Sequence, residues 1–159
     1  MSDDEAWVRI EREFDAPIET IWAMWTNGAR FASWYGPNGM SVPVAEIDLS
    51  IGGTRRICMS MENPERPMKM WFTGVFKEIS APARLVYTEA MCTEDGTLIS
   101  PTSMGMPEGT PEITEVIVDL EDLGGRTRMV MVHRGVPAGT AGEGGWQQAI
   151  EKLAARLSA

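Results

Sequence analysis

A single histidine, His133, alternates along the chain with Thr127, Met129 and Met131, and strand alternation places all four side chains on one face. The two methionines mark that face as inward. An inward imidazole can serve as a general base or polarise a bound carbonyl at neutral pH. The plainer reading is a hydrogen-bonded histidine near a strand end that fixes the turn into Gly135. A second inward face follows from Leu85, Tyr87, Glu89 and Met91. Glu89 is an unusual guest there, because a buried carboxylate demands partners. Arg55 shares a third inward face with Ile57 and Met59. An Arg55–Glu89 contact across the interior would orient a polar ligand or form a structural ion pair. The competing reading leaves one or both at a solvated rim, since charged side chains are seldom fully buried.

The elements that must position these residues are legible from periodicity. Trp7 to Phe14 alternates apolar and charged residues, the signature of a half-buried strand. Asp15-Ala16-Pro17 supplies a capping residue and a proline suited to a first helical turn, and Ile18, Ile21, Trp22 and Trp25 follow at helical spacing. Asn27-Gly28 breaks that helix. A second short one is expected within 29–34, ended by Gly36-Pro37-Asn38-Gly39. Strands are expected at about 40–49, 54–61, 68–80, 84–91, 113–121 and 127–134. Turns fall at Gly52-Gly53, Asn63 to Pro67, Ala81-Pro82-Ala83 and Gly124-Gly125. The segment 92–111 is long for a loop inside a domain, which points to function or mobility. From about Gly142 to Leu157, Trp146, Ile150, Leu153 and Leu157 make one apolar helical face. A rod of roughly 10 Å diameter cannot fill a curved sheet from edge to edge. A cavity between helix and sheet is the expected result, and with it a small apolar ligand.

Composition narrows the partners. At 159 residues the chain suits one domain, 1–159, able to bury its own core. A formal charge of −9, with no basic run longer than Arg55-Arg56, disfavours nucleic acid and anionic membrane surfaces. The acidic start lacks a positive region and an apolar core, so a cytoplasmic address is expected. Cys58 and Cys92 have no metal-binding or redox spacing and read as reduced, small apolar residues. No G-x-S-x-G, H-E-x-x-H, P-loop or dinucleotide fingerprint is present, so neither metal nor cofactor is expected. Twelve methionines, several of them in strands, fit irregular core packing and also a pocket that adapts to varied guests. A homodimer through the 92–111 loop or a strand edge is compatible with the sequence.

Several motifs stand in one order: Phe31-x-x-Trp34-x-Gly36-Pro37, Asp48-Leu49 before Gly52-Gly53, Gly74-x-Phe76-x-Glu78-Ile79, Arg84-Leu85-Val86-Tyr87-Thr88, His133-Arg134-Gly135-Val136-Pro137 and Gly145-Trp146. Together they resemble the START-like superfamily, in its bacterial branch related to the C-terminal domain of the activator of the 90-kDa heat-shock protein ATPase. The resemblance implies an α+β helix-grip fold: a curved antiparallel sheet of six or seven strands around a long C-terminal helix, with two short helices after the first strand. The scaffold hosts carriers, receptors and cyclases, so fold alone does not name a function. Arg55 stands where the family commonly has an aromatic residue, and Ser50 and Ile51 depart from its usual pattern before the glycine pair. The expectation is a binder of a small apolar, aromatic or acyl molecule. The residues expected to line its cavity are Trp34, at the mouth, Arg55, Ile57, Met59, Tyr87, Glu89, Met91, Met129, Met131, His133, Trp146 and Ile150. Two alternatives stand beside it: a cyclase, dehydratase or hydrolase using His133 or Glu89 as acid/base, and a stimulator of the chaperone ATPase.

Overall fold

The computed structural model describes residues 6–61, 65 and 68–157. Most of the turn expected between Asn63 and Pro67 lies outside the described residues. In chain order the elements are β1 (Trp7–Phe14), α1 (Ile18–Thr26), α2 (Gly28–Ala32), β2 (Met40–Ile47), β3 (Thr54–Met61), β4 (Met68–Ser80), β5 (Arg84–Cys92), a 3-10 turn (Pro101–Met104), β6 (Thr114–Asp122), β7 (Thr127–Pro137) and α3 (Ala141–Leu157).

All seven strands form one curled antiparallel sheet in the order β1-β7-β6-β5-β4-β3-β2. Strands β2 to β7 pair with their sequence neighbours, as short connections allow, and β1 closes the series by pairing with β7. The concave face buries Phe14, Ile57, Phe76, Leu85, Tyr87, Val116, Val118, Met129 and Met131. The short helices contribute Ile21, Met24, Trp25 and Phe31, and α3 contributes Trp146, Ala149, Ile150 and Leu153. A satellite cluster of Val86, Ile117 and Val132, with Trp7 against it, lies on the opposite face. No helix of the described residues is long and apolar enough to cross a membrane.

Local chemistry explains where the elements depart from expectation. Pro17, not Asp15, is the N-cap of α1, and no side chain caps that end. The side-chain cap appears one helix later, where Asn27 Oδ1 accepts from the Arg30 N–H at 3.0 Å. β7 continues past Arg134 to Pro137 because β1 offers it a partner as far as Trp7, across an irregularity between Trp7 and Val8. Within 92–111, Leu98 bridges back to Cys92 and a 3-10 turn follows at Pro101–Met104.

Gly74 fixes the approach of β4 to β5. It stands opposite Arg55 in the β3–β4 register. A Cβ at Gly74 would lie 1.8 Å from the Thr88 carbonyl oxygen, a backbone atom that cannot step aside. Gly74→Ala is therefore expected to lower stability by about 1–3 kcal/mol or more, through forced separation of the two strands. Urea unfolding measures it, and an unchanged midpoint would show that the strands part freely.

Candidate functional site

Five strand positions bring polar groups together in the interior. Arg55 comes from β3, Tyr87 and Glu89 from β5, Thr114 from β6 and His133 from β7. Arg55 is 1% exposed, Glu89 5% and His133 7%, so the polar cluster is interior. Tyr35, just after α2, and Trp146, on α3, complete it.

The proton positions follow from donor inventory. The indole of Trp146 can only donate, and its Nε1–H lies 2.9 Å from His133 Nδ1, which must therefore carry a lone pair. The remaining imidazole hydrogen is then on Nε2. Thr114 Oγ1 donates to the Glu89 carbonyl at 3.0 Å, which leaves it to accept from His133 Nε2–H at 2.8 Å. Both ring nitrogens are thus occupied in the neutral state. Burial pushes the imidazole pKa below its ordinary 6.5, against the opposing pull of Glu89. On the carboxylate itself, Oε1 accepts from the Tyr35 hydroxyl at 2.9 Å and Oε2 faces His133 Nε2 at 3.6 Å. Burial first, and then Glu89, push the Tyr35 phenol well above its ordinary value, so it stays a donor.

Arg55 and Glu89 do not pair, contrary to one reading of the sequence. The guanidinium lies over the Tyr87 ring, 3.7 Å from its centroid, and 5.0 Å from that of Phe31. Glu89 is turned toward Tyr35 and His133 instead. Arg55 Nε and Nη2 are buried with no hydrogen-bond partner among the described residues. The solvated-rim reading fails for both charges.

An apolar cleft of about 200 Å³ opens beside this cluster, lined by Tyr35, Pro37, Met59, Gly145, Trp146 and Ala149. Its walls are tied together across α3. Gln148 Oε1 accepts from the Asn38 N–H at 2.8 Å, and Lys152 Nζ donates to the carbonyls of Tyr35 and Pro37 at 3.4 Å each. Gly145 keeps the cleft open, because its missing side chain would touch the Pro37 ring.

Of the residues expected around a ligand, Met59 and Trp146 line the cleft, and Arg55, Tyr87, Glu89 and His133 form the polar cluster behind it. Ile57, Met129, Met131 and Ile150 are fully buried core, and Met91 is half-buried opposite Phe72. Trp34 is not at the mouth. It is fully buried, and its indole N–H donates to the Met24 carbonyl at 2.8 Å, which ties the segment after α2 to α1. Tyr35 and Thr114 were not singled out by sequence, and Phe31 stood out only as part of the Phe31-x-x-Trp34 motif. A phenol beside a glycine-proline turn was the available signal for Tyr35. Among the described residues no group of three or more His, Cys, Asp or Glu side chains could hold a metal ion. Burial raises the pKa of both free cysteines, which keeps them as thiols.

The family model described as Activator of Hsp90 ATPase homolog 1-like protein matches residues 15–158. The chain belongs to this family. Solved structures with the same fold include an AHSA1 protein from Silicibacter pomeroyi, 25% identical, with a TM-score of 0.73 and coverage of 96% of this chain and 98% of that one. A protein from Chromobacterium violaceum is 24% identical, with a TM-score of 0.74 and coverage of 94% of each chain. One from Nitrosomonas europaea is 22% identical, with a TM-score of 0.76 and coverage of 99% and 97%. No curated protein matches. Membership in this family and these folds establish the helix-grip architecture, a scaffold on which ligand binding is common.

Proposed function

We propose that this protein binds a small, largely apolar molecule at the cleft between the first turns of α3, the Tyr35–Pro37 segment and Met59, without performing chemistry on it. One observation carries the reading. An apolar cleft has as two of its walls Tyr35 and Trp146, which hydrogen-bond the buried Glu89 and His133 behind them, the pairing of apolar walls with a few convergent polar groups that characterises small-molecule sites. Met59 supplies a flexible wall and Trp146 a flat one.

The acid/base alternative is weaker on the same geometry. A general base needs a free lone pair within reach of the substrate, and the only unprotonated nitrogen of His133 is covered by Trp146. Glu89 Oε1 is already engaged by the hydroxyl of Tyr35, a wall of the cleft.

The test is titration of intrinsic tryptophan emission, in which Trp146 is the reporter at the cleft, against a library of apolar and aromatic acids, esters and alcohols. Saturable shifts are expected for some members. Gly145→Leu is expected to abolish them while leaving the fold intact, because its side chain would enter the cleft from a position that already accepts a Cβ at 3.9 Å from Pro37. Binding that survives in this variant would place the guest elsewhere.

A further inference from the structure

The buried side-chain polar atoms left without a partner among the described residues are Arg55 Nε, Arg55 Nη2 and Trp25 Nε1. All are donors. Two of them share one guanidinium, and both side chains pack beside the same ring, with Phe31 5.0 Å from the Arg55 guanidinium and 6.3 Å from the Trp25 ring. Phe31 in turn stacks on Tyr35 at 4.5 Å, and Tyr35 is a wall of the cleft. The unmet need of this interior is for oxygen acceptors, one aromatic layer behind the cleft.

Nε and Nη2 form one edge of the guanidinium, the edge whose two N–H bonds run side by side and match two oxygens on one planar carbon. The face of the guanidinium is already covered by Tyr87 at 3.7 Å, so the edge is what remains for a guest. Glu89 does not take that edge, since its oxygens are turned to Tyr35 and His133. On the same inward face of β3, Met59 lines the cleft four residues further on, past the buried Ile57, so a guest that joined the two would have a polar head and an apolar body.

We propose that Arg55 is the head-group anchor of the site, and that the ligand is an acyl compound whose carboxylate or carboxylic ester oxygens accept from Arg55 Nε and Nη2 while its apolar body lies toward Tyr35, Met59 and Trp146. The proposal rests on the binding reading above and specifies the ligand class within it.

Octanoate, methyl octanoate and octan-1-ol share one chain and differ at the head, so titrating all three separates the anchor from the cleft. At least one of the two acyl probes is expected to bind tenfold or more tightly than the alcohol. Arg55→Met, which keeps an unbranched apolar chain, is expected to erase that preference by bringing the acyl probes down to the affinity of the alcohol. Octanoate alone preferred identifies a carboxylate; the ester alone preferred shows that the nearby Glu89 charge excludes an anion. Equal binding of all three, or a preference that persists in Arg55→Met, overturns the anchor while leaving the binding reading standing. If none of the three binds, the acyl-ligand proposal falls, and the binding reading is then decided by the wider library. Arg55→Lys keeps the charge without the paired N–H edge and is expected to lose most of the preference. A shift of the Arg55 Nε–H resonance on adding the preferred probe to the unaltered protein gives a readout that needs no variant.

Discussion

Arg55→Met is expected to make the ligand-free protein more stable, by about 1–4 kcal/mol, although it removes a guanidinium placed over two aromatic rings. The opposing magnitudes decide the sign. A desolvated cation over an aromatic face contributes about 2 kcal/mol, and Arg55 has one close ring, Tyr87, and a more distant one, Phe31. Against this stand two buried N–H groups without acceptors, at about 1–3 kcal/mol each, and an ion desolvation penalty of several kcal/mol with no carboxylate in contact. Methionine retains most of the apolar stem contact and none of these penalties. Urea unfolding of the two proteins without ligand measures the difference. A variant less stable than its parent would mean that the stacked guanidinium stabilises the fold, and Arg55 would then be a structural residue. The expected outcome, stability gained as head-group preference is lost, is the pattern of a group retained for binding at a cost to folding.

How much of this arrangement was legible beforehand depends on what periodicity can carry. Strand alternation placed Arg55 with Ile57 and Met59, Tyr87 with Glu89, and His133 with Met129 and Met131, and each set is inward in the structure apart from half-buried Met91. A period of two decides faces with no knowledge of the partner strand. It does not decide which groups on adjacent inner faces meet. The sequence offered Arg55 and Glu89 as a pair, and the structure separates them by inserting Tyr87 beneath the guanidinium and Tyr35 onto the carboxylate. Tyr35 sits in irregular backbone after α2, where no periodicity assigns a direction. Trp34 illustrates the same limit, since its neighbour lines the cleft while its own indole turns back to Met24. The boundary of β7 was underestimated because pairing with β1, a contact far apart in sequence, extends it to Pro137. A cavity was expected from the mismatch between one helix and a wide sheet, with nothing to say where along the helix it would lie. The cleft lies at the glycine-bearing start of α3, while Ile150 and Leu153 further along are fully buried.

The hydrogen bond from Trp146 to His133 gives the protein a defined response to acid. A proton on Nδ1 would set two N–H groups against each other, since the indole has no lone pair to offer. The folded pKa of His133 lies below the ordinary value near 6.5 that the unfolded chain retains, so the unfolded state binds the proton first as pH falls. The stability associated with this residue is therefore fully present above about pH 6.5. It declines as pH drops toward the depressed folded value, by at most about 1.4 kcal/mol for each pH unit between the two. The groups facing the imidazole are Glu89 from β5, Thr114 from β6 and Trp146 from α3, and only Glu89 is charged. Its carboxylate limits the depression and does not reverse it, because burial is the larger influence. Trp146→Phe keeps a ring against Trp25 and Tyr35 but frees Nδ1, so the His133 pKa is expected to rise and the acid sensitivity to shrink. An NMR titration of the imidazole Cε1–H resonance in both proteins measures the first effect, and urea midpoints between pH 7.5 and pH 5 measure the second. If the imidazole of the unaltered protein titrates at or above 6.5, the indole does not hold it neutral. In that case the Nδ1 lone pair of His133 is available after all, and the acid/base reading of His133 returns.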